Sequence, residues 1–137
     1  MKYEFLPHTA DIRMRLNGTD LADLFNAGVR GMASVLMGDI CSDPGDIIVE
    51  KRILLKSSDS TSLLIDFLSE VLTLSYVENA VFCSVLFSSI DENALEGILY
   101  GHPVDQWDEE IKAVTYTEAS VQQLTDNSLG SDVVFDI

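Results

Sequence analysis

Asp11-Ile12-Arg13-Met14-Arg15-Leu16-Asn17-Gly18-Thr19-Asp20-Leu21, with the run from there to Gly38, changes its apolar period once. Through Leu16 an apolar residue recurs at every second position, the period of a strand with one covered face. Asn17-Gly18-Thr19-Asp20 is turn chemistry that ends in a helix cap, either Thr19 or Asp20. Beyond it Leu21, Leu24, Phe25, Gly28, Val29, Met32, Ala33 and Leu36 recur at spacings of three and four. That is the single stripe of an amphipathic helix, stopped by Gly38. Gly28 lies on the stripe, which predicts close approach to a sheet. The methionines read as core filling, not as a metal box.

The same two periods organise the rest of the chain. Residues 3–6 read as a strand ahead of the Pro7-His8-Thr9-Ala10 turn. Residues 41–46 form a loop with Asp-Pro-Gly turn chemistry. Residues 47–56 are apolar enough to predict a strand with both faces partly covered. The Ser/Asp segment 57–62 caps a second helix, with Leu64, Phe67, Leu68, Val71, Leu72 and Ser75 as its buried stripe. Residues 81–90 and 94–101 pair as a hairpin about Asp91-Glu92-Asn93. Residues 101–110 read as an acidic loop carrying His102 and Trp107. Residues 111–118 read as a strand, and 121–125 with 132–137 as a last hairpin. Two helices set among antiparallel strands predict one α+β domain over 1–137, with both helices packed on a mostly antiparallel sheet.

Composition narrows the function. Eight Lys and Arg against 23 Asp and Glu give a net charge of −15. The basic residues are scattered, whereas a nucleic-acid surface needs them clustered to displace counterions. Direct RNA or DNA binding is therefore not expected. A field of this sign favours cations and basic protein surfaces. The two cysteines, Cys41 and Cys83, form neither a framework nor a CxxC pair and read as reduced thiols. With no signal-peptide pattern and no apolar run near 20 residues, the expectation is a cytoplasmic protein, neither secreted nor membrane-spanning.

Neither a Walker loop nor a dinucleotide fingerprint nor a nucleophile elbow is present. Asp66 and Glu70 read as surface charge on the second helix, and His102 as an exposed histidine near Asp105 and Asp108. The residues with unassigned chemistry sit at the two ends of the chain. His8 and Asp11 flank the opening turn; Asp136 and Ile137 close the sequence. On these residues alone, the alternatives are a turn that bonds its own backbone or a set of oxygens that shares a cation.

Three separated motifs occur in one order: His8-Thr9-Ala10-Asp11, Ile111-Lys112-Ala113-Val114-Thr115-Tyr116, and Val133-Val134-Phe135-Asp136-Ile137. Together they resemble the archease family from end to end. The resemblance implies a divalent cation held by Asp11, Asp136 and the Ile137 carboxylate. Ca²⁺ is the best match to such hard oxygen donors, and His8 would support them from behind. It further implies a non-catalytic protein partner of the tRNA-splicing RNA ligase. That ligase joins 2′,3′-cyclic phosphate or 3′-phosphate RNA ends to 5′-hydroxyl ends with GTP and Mn²⁺. The helper would promote guanylylation of the ligase and multiple turnover. Two positions depart from the family pattern: Thr117 stands where His is common, and Gly101-His102 where Gly-Glu is common. The alternatives from other classes are a metal-dependent phosphoester hydrolase and a general protein chaperone or interaction module.

Overall fold

A computed structural model describes residues 1–6, 11–43 and 45–137. The elements, in chain order, are β1 (Lys2–Leu6), β2 (Ile12–Gly18), α1 (Leu21–Met37), β3 (Val49–Lys56) and α2 (Ser60–Glu78). They continue as β4 (Ala80–Ile90), β5 (Ala94–Pro103), β6 (Ala113–Thr115), β7 (Gln122–Gln123) and β8 (Leu129–Asp136). The expected α+β architecture is present, but its strands divide into two antiparallel sheets. One runs β1-β2-β8-β6, with β7 also on β8; the other runs β3-β5-β4.

The expected helix ends are made by side chains. Asp20 Oδ1 accepts from the Asp23 backbone N–H at 2.8 Å, and Asp23 Oδ2 accepts from the Thr19 N–H at 2.9 Å. These two bonds satisfy donors that the first turn leaves over, and the Thr19 bond is the main reason the Asp23 carboxyl stays below its usual pKa. Gly38 ends α1 at φ 58, where a side chain would be strained. Asp59 caps α2 in the same way, accepting from Ser62 N–H at 2.7 Å.

Both helices face the sheets with the stripes read from the sequence. Leu24, Phe25, Val29, Met32 and Leu36 of α1 are buried, as are Leu64, Phe67, Leu68, Val71, Leu72 and Ser75 of α2. By length and composition α2 could cross a membrane, yet these residues lie inside the protein's own core. Phe25, Phe67 and Phe87 stack with centroids 5.3 to 6.2 Å apart, joining α1, α2 and β4. Gly28 sits where an added Cβ would meet Leu68 of α2 at 3.1 Å and Leu16 of β2 at 3.3 Å. It therefore serves the helix–helix contact as well as the predicted helix–sheet contact.

Several expectations need correction. Cys41 and Cys83 are joined in a disulfide, not held as free thiols. The cause is local: the β4–β5 register slips between Phe82 and Ser84, so Cys83 is the extra residue of a bulge and turns out of the ladder toward Cys41. β3 is an edge strand with one covered face; Glu50, Arg52, Leu54 and Lys56 alternate outward, and Leu54 is 67% exposed. His102 belongs to β5 opposite Val81 and is half-buried, with Nδ1 3.0 Å from the Ile47 carbonyl oxygen. The 111–118 strand shrinks to Ala113–Thr115 because Ile111 is taken by another partner. The Tyr76 hydroxyl donates to the Ile111 carbonyl at 2.7 Å and accepts from its N–H at 2.8 Å. Asp66 is half-buried and accepts from Ser57 Oγ at 3.1 Å and from the Tyr116 hydroxyl. It ties α2 to the segment after β6 and raises the Tyr116 phenol pKa, chiefly through that hydrogen bond.

Candidate functional site

Strand β8 lies between β2 and β6 in the five-stranded sheet, and both of these neighbours meet it at one end. The β2–β8 ladder starts at Ile12 opposite Phe135, and the β6–β8 ladder starts at Ala113 opposite Asp136. Asp11 precedes Ile12 directly, so carrying the register one residue further sets Asp11 opposite Asp136. The two extremities of the chain are thus side by side. Phe135 is fully buried and points to the helices. Strand alternation therefore turns Asp11 and Asp136 to the other face of the sheet.

The end of β8 is fixed. The Lys112 N–H donates to the Asp136 carbonyl at 2.7 Å. Asp136 itself is exposed and Ile137 is 40% exposed, at the end of a secured backbone. One row along the same face, Arg13 pairs with Glu118. The next row holds Arg15, whose Nε lies 3.0 Å from Asp132 Oδ1. That bond, with the carboxylate's charge, raises the guanidinium's pKa further. Arg13 is thereby occupied by a carboxylate of the turn between β6 and β7, and Arg15 by one of β8.

The candidate donor set at this end, as the family resemblance implies it, is Asp11, Asp136 and the Ile137 carboxylate. It is all oxygen, which suits a hard divalent cation better than a transition metal. Among the described residues, three or more His, Cys, Asp or Glu side chains do not gather as a metal cluster. The set proposed from sequence differs from such a cluster, having two carboxylate side chains supplemented by main-chain oxygens. His8 and the Pro7–Ala10 turn lie outside the described residues. His102 and Asp66 stand in other parts of the fold, each with a structural partner, and neither joins this set.

A further cluster was not anticipated from sequence. Tyr76 of α2 and Trp107 pack edge to face at 5.2 Å, beside Gln106 and Glu110. The sequence signal was present in the lone tryptophan of an acidic stretch, but its partner lies 31 positions earlier, on a helix.

Comparison with known proteins shows which family the chain resembles. Residues 3–137 match the Archease protein family (MTH1598/TM1083). Protein archease of Methanosarcina mazei is 34% identical over 144 residues, covering 99% of this chain and 96% of that protein. Protein archease of Pyrococcus furiosus is 30% identical, with 99% of each covered. The solution structure of protein 1598 of Methanobacterium thermoautotrophicum superposes with a TM-score of 0.79 at 27% identity, over 98% of both chains. The crystal structure of an archease and possible chaperone from Thermotoga maritima shares the fold, with a TM-score of 0.63 at 21% identity over 96% of this chain and 94% of that one. The chain belongs to the archease family.

Proposed function

We propose that this protein is a non-catalytic activator of the GTP-dependent RNA ligase of tRNA splicing, working in the cytoplasm through a divalent cation at the Asp11–Asp136 end. The observation that carries the proposal is the meeting of the chain's two ends across the β2–β8 ladder, with Ile12 opposite Phe135. Asp11 and Asp136 would hold Ca²⁺ together with the Ile137 oxygens. A bound divalent cation would neutralise the paired carboxylates and would supply Lewis-acid chemistry toward phosphate oxygens. Asp136 is exposed at the end of β8, where a partner can reach it. Lys112 keeps the Asp136 backbone in place while the side chain is engaged. The charge of −15 favours approach to a basic protein surface and disfavours gripping RNA directly. That division leaves RNA binding and bond formation to the ligase and makes the acidic protein a helper in guanylylation.

The test is an RNA-ligation assay with the cognate ligase at limiting concentration. Wild-type protein should carry each ligase molecule through many turnovers, and Asp136→Ala should leave it near a single round. The Asp136 side chain is exposed, so the variant's stability should stay within about 0.5 kcal/mol of wild type. Equal turnover with and without the wild-type protein would refute the proposal.

A further inference from the structure

The corner formed by Tyr76 and Trp107 has the features of a built site for a cation. The two rings stand 87° apart and so form perpendicular walls. With Gln106 and Glu110 they line a cavity of about 450 Å³. Aromatic faces attract cations through their quadrupole, and a carboxylate beside them supplies the countercharge. Glu110 is close enough for its charge to help raise the Tyr76 phenol pKa, although burial is the larger cause. Four acidic residues, Asp105, Asp108, Glu109 and Glu110, surround Trp107 within six positions, and that stretch has no Lys or Arg.

The walls are pre-formed. The segment carrying Trp107 is pinned by the Val104 N–H on the Asn79 carbonyl at 2.9 Å, and by the Asp108 N–H on the Leu36 carbonyl at 2.8 Å. Its far end is clamped by the Tyr76 hydroxyl on both main-chain groups of Ile111. A ligand entering the corner therefore need not order a loop, which lowers the cost of binding.

We infer that this corner receives an arginine side chain from a protein partner. A guanidinium is planar and can lie against one ring while its N–H groups reach the Glu110 carboxylate and the Gln106 carbonyl oxygen. Lys112, two residues past Glu110 in sequence, bonds the Asp136 backbone. The inference rests on the chemistry of the corner and not on the ligase reading, so each can fail alone.

Trp107 is the only tryptophan and reports directly on its own pocket. Its fluorescence is followed during titration with Nα-acetyl-arginine amide and, separately, with Nα-acetyl-citrulline amide, the neutral analogue of the same shape. Arginine amide should produce a saturable change, with citrulline amide at least about threefold weaker. Glu110→Gln, an exposed substitution that leaves the rings in place, should weaken arginine amide by about threefold and leave citrulline amide unchanged. Equal responses to the two amides, no saturable response, or an unaltered arginine affinity in Glu110→Gln would each overturn the assignment.

Discussion

Phe67→Ala is expected to lower the free energy of unfolding by about 3–5 kcal/mol. Phe67 is fully buried, with its ring centroid 5.3 Å from that of Phe25 of α1 and 5.8 Å from that of Phe87 of β4. Truncation removes the ring's transfer free energy and opens a void among elements that cannot all close around it. Both helices and the three-stranded sheet meet at this ring, so no single segment can move inward to fill the gap. Phe67→Leu keeps most of the volume and should cost less than about 1.5 kcal/mol. Urea unfolding followed by far-UV circular dichroism checks both. A loss below about 1 kcal/mol for the alanine variant would mean that the three rings do not share one core.

Opening the Cys41–Cys83 bond should cost nearly as much. The bond closes a loop with a sequence separation of 42, for which chain-entropy reasoning gives about 4 kcal/mol of stabilisation. The enclosed segment holds β3 and α2. A reductant, or Cys83→Ala, should therefore lower the melting temperature by about 10 °C. The far-UV spectrum should be unchanged at low temperature. Thermal melts with and without dithiothreitol provide the comparison. If the two melts coincide, the bond does not form in solution and the sequence reading of two reduced thiols stands.

The periods of two and of three-to-four made most of the fold legible. The α1 stripe from Leu24 to Leu36 and the α2 stripe from Leu64 to Ser75 needed only local spacing, and both are buried. Features that depend on distant partners were not legible. Cys83 reaches Cys41 because a bulge re-aims it, and nothing in the local pattern 81–90 marks a bulge. Ile111 reads as a strand residue, yet a tyrosine hydroxyl 35 positions away takes both of its main-chain groups in place of a neighbouring strand. The apolar density of residues 47–56 suggested two covered faces, but an edge strand with Leu54 outward has the same composition. The candidate site was legible only through motif resemblance. Spacing alone could not show that Asp11 and Asp136, 125 positions apart, sit across one ladder; the register of β2 on β8 supplied that.

Strand β4 lies at the rim of its sheet, where unpaired main-chain groups invite another chain to add on. Asn26 of α1 fills that place: its side-chain amide donates to the Val85 carbonyl at 3.0 Å and its carbonyl accepts from the Val85 N–H at 3.0 Å. One side chain thus imitates a peptide unit at the middle of the rim. An intruding polypeptide would have to evict this amide, which α1 anchors, before it could zip along β4. The same helix that fills the core therefore also guards the molecule against stacking with copies of itself from that side.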